Sequence, residues 1–452
     1  MGPQTQTERI EPSIQAPHWS IGARVAFRLC FIYFGLFCLA TQILGGLFPV
    51  PKIEIPDPAA LWPVRQIVFF TAAHVFQIKH PLVYTGSGSG DKTFDWVLAF
   101  CLLVCAVLAT GVWSILDRNR ENYVALHKWF RLFIRFALAS EMLLYGMDKA
   151  VPLQMPFPFL TRLVEPFGNF SPMGVLWSSI GASRPYEIFA GCAEILGGLL
   201  LIFPRTTMFG ALVCVADLIQ VFMLNMTYDV PVKLFSFHLL LMALFLLAPE
   251  FPRLFRFFFL NRATDPSAQP QLYRSRRANR VALAAQVVFG LWLVAVNAYN
   301  AWSGWNTYGG GRPKSPLYGI WNVKQISIDG QSPVAKYDRW RRAIFDFPTT
   351  MVVQRTDDSF EYYRASIDAG AKTFALTSNA VGNSKGNFTF QRAAQDQLTL
   401  DGNIDSQRLH IQLQLVDPTS SSSSTAASTG FRSIPLTAKT PVIAIALQRD
   451  RS

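Results

Sequence analysis

Residues 186–203 read YEIFAGCAEILGGLLLIF. The stretch is long and apolar enough to cross the hydrocarbon core of a bilayer, which takes about 20 helical residues. It nevertheless carries Glu187 and Glu194. An ionisable group at that depth costs about 3 kcal/mol or more, and such groups therefore usually face a bundle interior or a cavity. The pattern predicts a membrane helix whose acidic face is turned toward other helices.

The composition of the whole chain agrees with a membrane protein. Of its 452 residues, 51% are hydrophobic and 15% are charged, whereas soluble domains have about 25% charged residues. The formal charge of +12 does not indicate nucleic-acid binding, because many of the basic residues lie in loops that flank apolar segments. All six cysteines lie in apolar segments without a CxxC motif, which argues against a dithiol site or structural zinc.

Seven segments are predicted to span the membrane, and charge predicts their orientation. The loop after the sixth carries seven arginines, and cytoplasmic loops are the ones enriched in Lys and Arg. We therefore expect a bacterial cytoplasmic (inner) membrane protein with a cytoplasmic N-terminus and an extracytoplasmic C-terminal domain. Residues 61–78 are predicted to form an interfacial helix, and 173–180 a re-entrant or interfacial piece. The predicted spans are 25–50, 94–116, 124–147, 186–203, 206–226, 231–247 and 281–302.

The periodicity changes from Leu317 onward to short alternating segments, which are typical of strands in a small antiparallel barrel or sandwich. Turns are expected at Asp329-Gly330, Asp401-Gly402 and Gly382-Asn383, and a flexible loop at 420–424. The predicted strands are 320–328, 350–355, 360–367, 373–377, 387–391, 397–400, 409–415 and 442–447. The expected domains are an N-terminal segment (1–24), two helices with their loop (25–123), a four-helix bundle (124–260), a basic loop (261–280), the last helix (281–308) and the β domain (309–452).

Acidic and polar side chains inside the central spans are the candidates for function. Residues seven apart share one helix face, so Glu187 lines up with Glu194, and Glu141 with Asp148. The alternative is that Arg131, Arg135, Lys149 or Lys233 neutralises these acids as packing pairs. The ligand-binding or proton-handling candidates are Glu141, Tyr145, Asp148, Glu187, Glu194, Asp217, Asp229, Lys233 and His238.

Three local features leave alternatives open. Asp229 can cap the helix that begins near Pro231 and pair with Lys233, or the two can form a charged rim over the bundle. His238 is either a hydrogen-bonded core residue or a functional one. The Pro-rich loop 152–184 is too apolar for a simple solvent loop, and we interpret it as a lid on the bundle.

Residues 136–255 resemble a DoxX-type membrane protein. The resemblance implies a compact four-helix membrane bundle, and the family's namesake is a subunit associated with thiosulfate oxidation coupled to quinone. Gly319-Ile320-Trp321 is similar to the GxW that begins lipocalin-like barrels, which implies a barrel that could shelter an apolar ligand. The DoxX resemblance is carried by Tyr145-Gly146, Asp148-Lys149, the Pro-rich loop, 193–198 (AEILGG) and 228–233 (YDVPVK).

Three functions follow as hypotheses. The first is a quinone- or apolar-ligand-binding subunit of a membrane redox system, working with a membrane or periplasmic redox partner. The second is a carrier or lipid-handling protein, and the third is a scaffold for a periplasmic partner. The sequence has no metal, haem or nucleotide motif, and it does not decide whether the protein is an enzyme.

Overall fold

The computed structural model describes residues 18–51, 53, 56–82, 84, 90–264, 266, 271–331, 340–378, 385–405 and 407–416. The chain divides into two compact units. A helical unit comprises residues up to Pro158 together with Phe167–Arg312, and a barrel unit comprises Phe159–Pro166 together with the chain from Pro313 onward.

The helical unit is built from α-helices joined by short 3₁₀ turns. Its first long helix begins at Ser20, whose hydroxyl caps it by accepting from the Ala23 amide at 3.2 Å. In chain order, the helices of the protein are α1 (Ile21–Ala40), α2 (Ile43–Leu47), α3 (Val64–His74), α4 (Thr93–Leu116), α5 (Val124–Ala150), α6 (Leu160–Val164), α7 (Pro172–Ala182), α8 (Arg184–Ile202), α9 (Thr207–Thr227), α10 (Lys233–Leu247), α11 (Phe251–Phe258) and α12 (Arg276–Thr307). Of these, α6 belongs to the barrel unit.

Six helical segments in the described part of the chain are long and apolar enough to cross a membrane. They are α1, α4, α8, α9, the continuous segment from α10 through α11, and α12. The helix α5 is not among them, although its 27 residues extend about 40 Å at 1.5 Å per residue. Charged side chains interrupt α5, and the protein buries much of the helix instead. Six candidate spans are typical of a membrane protein, and in the described part of the chain six of the seven expected spans are found by length and composition.

Four helices contact one another in a ring: α5 with α8, α8 with α9, α9 with α10, and α10 with α5. Around this ring, α12 contacts α5 and α8, while α1 packs on α4 and also contacts α5. The middle of α5 is enclosed by its neighbours, with Ile134, Ala137, Leu138 and Leu143 fully buried. Its charged residues are therefore held inside protein rather than against lipid.

The barrel unit contains a closed antiparallel barrel of eight strands within the described residues. Each strand pairs with the next in sequence, and β1 pairs with β8 to close the sheet. The prediction of a small antiparallel barrel is thereby confirmed. The strands are β1 (Gly319–Ile328), β2 (Trp340–Phe345), β3 (Thr350–Arg355), β4 (Phe360–Asp368), β5 (Thr373–Ser378), β6 (Lys385–Ala394), β7 (Gln397–Ile404) and β8 (Gln407–Leu415).

Two details of the strand prediction were wrong. Strand β2, which carries Trp340 and two arginines, was missed because its residues do not alternate. Asp401-Gly402 is not a turn but lies inside β7. The glycine is there for another reason, because a Cβ at position 402 would collide with β6. The turn at Asp329-Gly330 is confirmed by positive φ angles of 49° and 79°. The predictions at 382–383, 420–424 and 442–447 fall outside the described residues.

Side chains fill the interior of the barrel. Trp321 is completely buried, donates from Nε1 to the Leu317 carbonyl at 2.9 Å and lies under the Arg392 guanidinium at 5.4 Å. Phe374 and Phe388 stack with ring centroids 5.1 Å apart. A barrel of eight strands is just wide enough to be filled by side chains or to hold one small ligand, and this one is filled where the structure describes it.

A short segment of the Pro-rich loop belongs to the barrel unit. The Leu160 amide donates to Asp346 Oδ2, and Gln354 Nε2 donates to the Val164 carbonyl, both at 2.9 Å. Leu160 also packs in one cluster with the buried side chains of Ile344 and Val352. The interpretation of the whole loop as a lid on the bundle is therefore wrong for residues 159–166, because these hydrogen bonds and apolar contacts attach them to strands instead.

Candidate functional site

Glycines on α5 and α8 bring these two helices close together. A Cβ at Gly191 would lie 2.6 Å from the Gly146 carbonyl oxygen, and one at Gly198 would lie 2.9 Å from Leu143 Cγ. Gly197 faces the other way, toward Cys214 Sγ of α9. Small residues at such positions let helix backbones approach in a membrane. These glycines therefore allow α8 to approach α5 and α9 closely.

The central feature of the interface is the ion pair between Lys149 and Glu194. Lys149 Nζ lies 2.6 Å from Oε1 and 2.7 Å from Oε2 of Glu194, and both side chains are less than a tenth exposed. The packing-pair alternative therefore describes Glu194, since its charge is neutralised by a base on the neighbouring helix. A pair this buried is expensive to break from one side, so it fixes the register of α5 against α8.

Further acids surround this pair. Asp148 and Asp217 both interact electrostatically with Glu194 and Lys149. Asp217 Oδ2 is buried without a hydrogen-bonding partner among the described residues. One lysine cannot neutralise three carboxylates. Asp148 and Asp217 are half-buried, so water, a proton or a bound group can compensate their charge.

Glu141 begins a second network on α5. Its side chain is completely buried, and Oε2 accepts from Gln42 Nε2 at 3.0 Å. The same Gln42 nitrogen donates to the Tyr145 hydroxyl at 2.9 Å. Glu141 Oε1 has no partner in the described structure and lies against Gly46 of α2, where any Cβ would overlap it. Glycine at position 46 is thus what allows the carboxylate to fit.

Tyr145 connects the two networks. Its hydroxyl oxygen accepts from Gln42, while the Lys149 ammonium lies 5.7 Å from the centroid of its ring. Because Lys149 pairs with Glu194, the side chains of Glu141, Gln42, Tyr145, Lys149 and Glu194 form one continuous polar path along α5. We call these five residues, with Asp148 and Asp217, the acid network.

Glu187 lies at the start of α8 and is fully buried. Its Oε1 accepts from the Met155 amide at 2.9 Å, whereas Oε2 is buried and unpartnered among the residues described. Glu187 is therefore enclosed by the protein. Its hydrogen bond holds the chain just after α5, so one of its two oxygens has a structural role.

His238 is a hydrogen-bonded core residue. Its Nδ1 donates to the Leu234 carbonyl at 2.7 Å, and Nε2 accepts from the Tyr33 hydroxyl at 2.6 Å. The imidazole stacks on Phe37 with centroids 3.9 Å apart and an interplanar angle of 6°. Both nitrogens are occupied, which places His238 outside the acid network.

Asp229 and Lys233 form the expected ion pair at 2.7 Å, but Asp229 does not cap α10. The cap comes from Asp91, whose carboxylate accepts from the Lys233 and Leu234 amides at 2.9 and 2.8 Å. Asp229 adopts a left-handed conformation with φ of 53° and is exposed. The capping prediction was wrong because Asp91, far away in sequence, fills that position.

A small cavity of about 90 Å³ adjoins the acid network. Gln42 and the aromatic rings of Phe37 and Phe235 line it, together with polar side chains from the loops. One of these is Asp57, whose pKa is raised by burial and lowered less strongly by nearby Lys92. The cavity is therefore lined on one side by aromatic rings and on the other by polar side chains that can exchange protons.

Sequence reasoning missed Gln42, Tyr33 and Asp91. Gln42 and Tyr33 are polar residues in or just after the first apolar span, and the same argument that selected Glu141 applies to them. Asp91 lies in a polar loop and gave no signal. Among the described residues, no group of three or more His, Cys, Asp or Glu side chains is placed to hold a metal ion.

Comparison with known proteins gives one informative relative. Over 118 residues, 26% of this chain, the sequence is 33% identical to the uncharacterized protein YwoB of Bacillus subtilis (strain 168), and the match covers 72% of that protein. This chain belongs to the YwoB family. No family profile and no solved structure matches it. Because YwoB is itself uncharacterized, membership of the YwoB family assigns no activity.

Proposed function

We propose that the helical unit binds an apolar molecule of the quinone class at the acid network and exchanges protons with it, as a subunit of a membrane redox system. The observation that carries this proposal is the set of unpartnered carboxylate oxygens on Glu141 and Asp217, both buried. Leaving a buried polar atom unsatisfied costs about 1–3 kcal/mol. A proton shared with a ligand would remove that cost.

The chemistry of a quinone suits this environment. Its ring is apolar, its carbonyl oxygens accept hydrogen bonds, and its two-electron reduction takes up two protons. The Tyr145 hydroxyl accepts from Gln42, which leaves its own hydrogen to donate to a ligand. Phe235 lies 6.2 Å from the Tyr145 ring and offers an aromatic surface. The electrons would come from a membrane or periplasmic partner, as the DoxX resemblance suggests.

The carrier hypothesis receives less support. It required cargo in the barrel, and the described interior is filled by Trp321, Phe374, Phe388 and other side chains. The scaffold hypothesis explains the barrel but gives no reason for burying unpartnered carboxylates. The quinone-class proposal accounts for the buried carboxylate oxygens that lack a hydrogen-bonding partner among the described residues, which cost folding free energy.

The proposal includes a location in the bacterial cytoplasmic membrane, with a DoxX-like bundle of α5, α8, α9 and α10 and the barrel outside. Residues 159–166 and the barrel strands form one unit and so lie on the same side of the membrane. Four candidate spans separate them in sequence, and an even number satisfies this requirement. If α5 also spans, the N-terminus lies on the opposite, cytoplasmic side.

Accessible cysteines would test this topology. In a cysteine-free full-length chain, Ser366→Cys in the barrel should react with an impermeant thiol reagent in intact spheroplasts. Ser275→Cys, in the basic loop before α12, should react only after lysis. Labelling of both or of neither in intact cells would contradict the proposed orientation.

The ligand itself can be tested on the full-length protein, purified from its native membrane in mild detergent. Mass spectrometry of retained molecules should find a quinone near one equivalent. Glu141→Gln keeps the size of the side chain and should lower that quinone content at least fivefold, whereas the exposed Glu121→Gln should not change it. Retention of lipid alone, or equal quinone in both variants, would contradict the proposal.

A further inference from the structure

A second, larger cavity lies in the helical unit away from the acid network. Its volume is about 670 Å³, within the range of roughly 300–1,000 Å³ that is typical of small-molecule sites. It is formed by the N-terminal part of α5, the turn between α8 and α9, the end of α10 and the start of α12. These are the ends of the helices that carry the basic loops.

Three cations on α5 face this cavity. Lys128, Arg131 and Arg135 are spaced three and four residues apart, which places them on one face of the helix. Arg205, in the turn before α9, adds a fourth. Like charges at such spacing repel each other, and no acidic residue is among the described residues that line the cavity.

Neutral groups hold these cations in place but leave their charge uncompensated. Lys128 donates to the Gln271 and Leu272 carbonyls at 2.9 and 2.8 Å, and Arg131 donates to the Leu246 carbonyl at 2.9 Å. Glu250 interacts electrostatically with Arg131, but it also pairs with Arg253 at 3.2 Å.

Arg135 is the deepest member of the set. It is only 6% exposed and donates to Gln286 and Thr207. Its Nε is buried without a partner among the described residues. A buried guanidinium with a free donor calls for an anion with several acceptor oxygens, which a phosphate group provides.

Part of the remaining wall is apolar, and this part reaches the outside of the helical unit. Phe203 and Leu283 line the cavity and are 46% and 42% exposed. On a membrane helix such surfaces contact acyl chains. Basic pockets between membrane helices are known to receive anionic lipid head groups.

We propose that this cavity binds the phosphate of an anionic phospholipid, with the head group among Lys128, Arg131 and Arg135 and an acyl chain along Phe203 and Leu283. The site is separate from the acid network, so it can be present whether or not the helical unit binds a quinone.

The test uses the full-length chain in mixed micelles. Phosphatidylglycerol should be retained in native mass spectra at least tenfold more than phosphatidylcholine, and should raise the melting temperature. Arg131→Gln should abolish this preference, and Arg256→Gln, an exposed arginine that does not line the cavity, should keep it. Equal retention of both lipids, or no effect of Arg131→Gln, would overturn the proposal.

Two further experiments control for misfolding of the variant and for the source of the bound phosphate group. Leu283→Trp fills the lipid-facing mouth without changing charge and should also lower phosphatidylglycerol retention, which covers the case in which Arg131→Gln fails to fold. Inorganic phosphate at the same concentration should give less than a tenth of the stabilisation. Equal stabilisation by phosphate would keep an anion site and overturn the lipid as its source.

Discussion

The two units of this protein both have apolar cores, but they differ in the charged side chains that they bury and the apolar ones that they expose. On the helices, large apolar residues such as Leu108 and Val288 are each 66% exposed, while Glu141 and Glu194 are buried. In the barrel, Trp321 and Phe345 are completely buried, and charged residues such as Arg341 lie outside. The apolar core of the barrel accounts for the stability of that unit. A polar interior costs stability, and so the helical unit is where function is expected.

The largest test of this contrast is the buried ion pair. Lys149→Met leaves the Glu194 carboxylate buried without its base and should lower the free energy of unfolding by about 3–5 kcal/mol. Unfolding of the full-length chain in mild detergent, followed by helical circular dichroism, would measure it. The exposed Lys79→Met is the matched control. A double variant, Lys149→Met with Glu194→Gln, should recover part of the loss, and no recovery would contradict a direct pair.

The next effect concerns how closely α5 and α8 approach. Gly191→Ala would place a methyl group against the backbone of α5 and should destabilise the helical unit by about 1–3 kcal/mol. Gly35→Ala, in α1, meets nothing within 4 Å and should be neutral or slightly stabilising, because alanine favours helix over glycine. Unfolding followed by helical circular dichroism would measure both variants. Equal effects at both positions would show that α5 and α8 can move apart without loss of stability.

A smaller effect is expected in the barrel. Trp321→Phe keeps an aromatic ring in the core but removes the hydrogen bond to the Leu317 carbonyl, at a cost of about 1 kcal/mol. Unfolding of the full-length chain, followed by the strand contribution to circular dichroism, should shift accordingly, with Tyr362→Phe on the outer surface as control. An unchanged transition would mean that water replaces the lost donor.

The smallest effect is expected for an exposed ion pair whose N–O distance is close to that of the buried pair. Arg341 and Asp358 are 2.7 Å apart in the barrel, almost as close as Lys149 and Glu194, but their side chains are 45% and 33% exposed. Exposed pairs contribute about 0–1 kcal/mol, so Arg341→Gln should change stability by no more than that. An effect as large as that of Lys149→Met would contradict the view that burial, rather than contact distance, sets the cost.

Local sequence predicted most of the architecture because apolar length and alternation are local properties. The apolar spans and strands such as β3 follow directly from them, and so does the burial of Trp321. The sequence did not show whether α5 is a membrane span, because its charges interrupt the apolar pattern. Only packing by neighbouring helices accommodates these charges. Strand β2 was missed because its residues do not alternate between buried and exposed.

The candidate site was predictable in its acids but not in their partners. Glu141, Glu187 and Glu194 stand out as charges in apolar stretches. Nothing in the sequence says that Glu194 meets Lys149, that Glu141 meets Gln42 from 99 residues away, or that Asp91 caps α10. Such pairings depend on which helix faces lie together, and that information is carried by the tertiary fold.

The segment from Phe159 to Pro166 has a consequence for biogenesis. The Leu160 amide and its acceptor Asp346 are 186 residues apart, so the ribosome delivers this segment long before the strands that bind it. The helices α8, α9, α10 and α12 are all synthesised before β2 and β3. A nascent chain halted after α12 therefore lacks the partners of this segment, and docking of Leu160 reports that translation has passed the third strand.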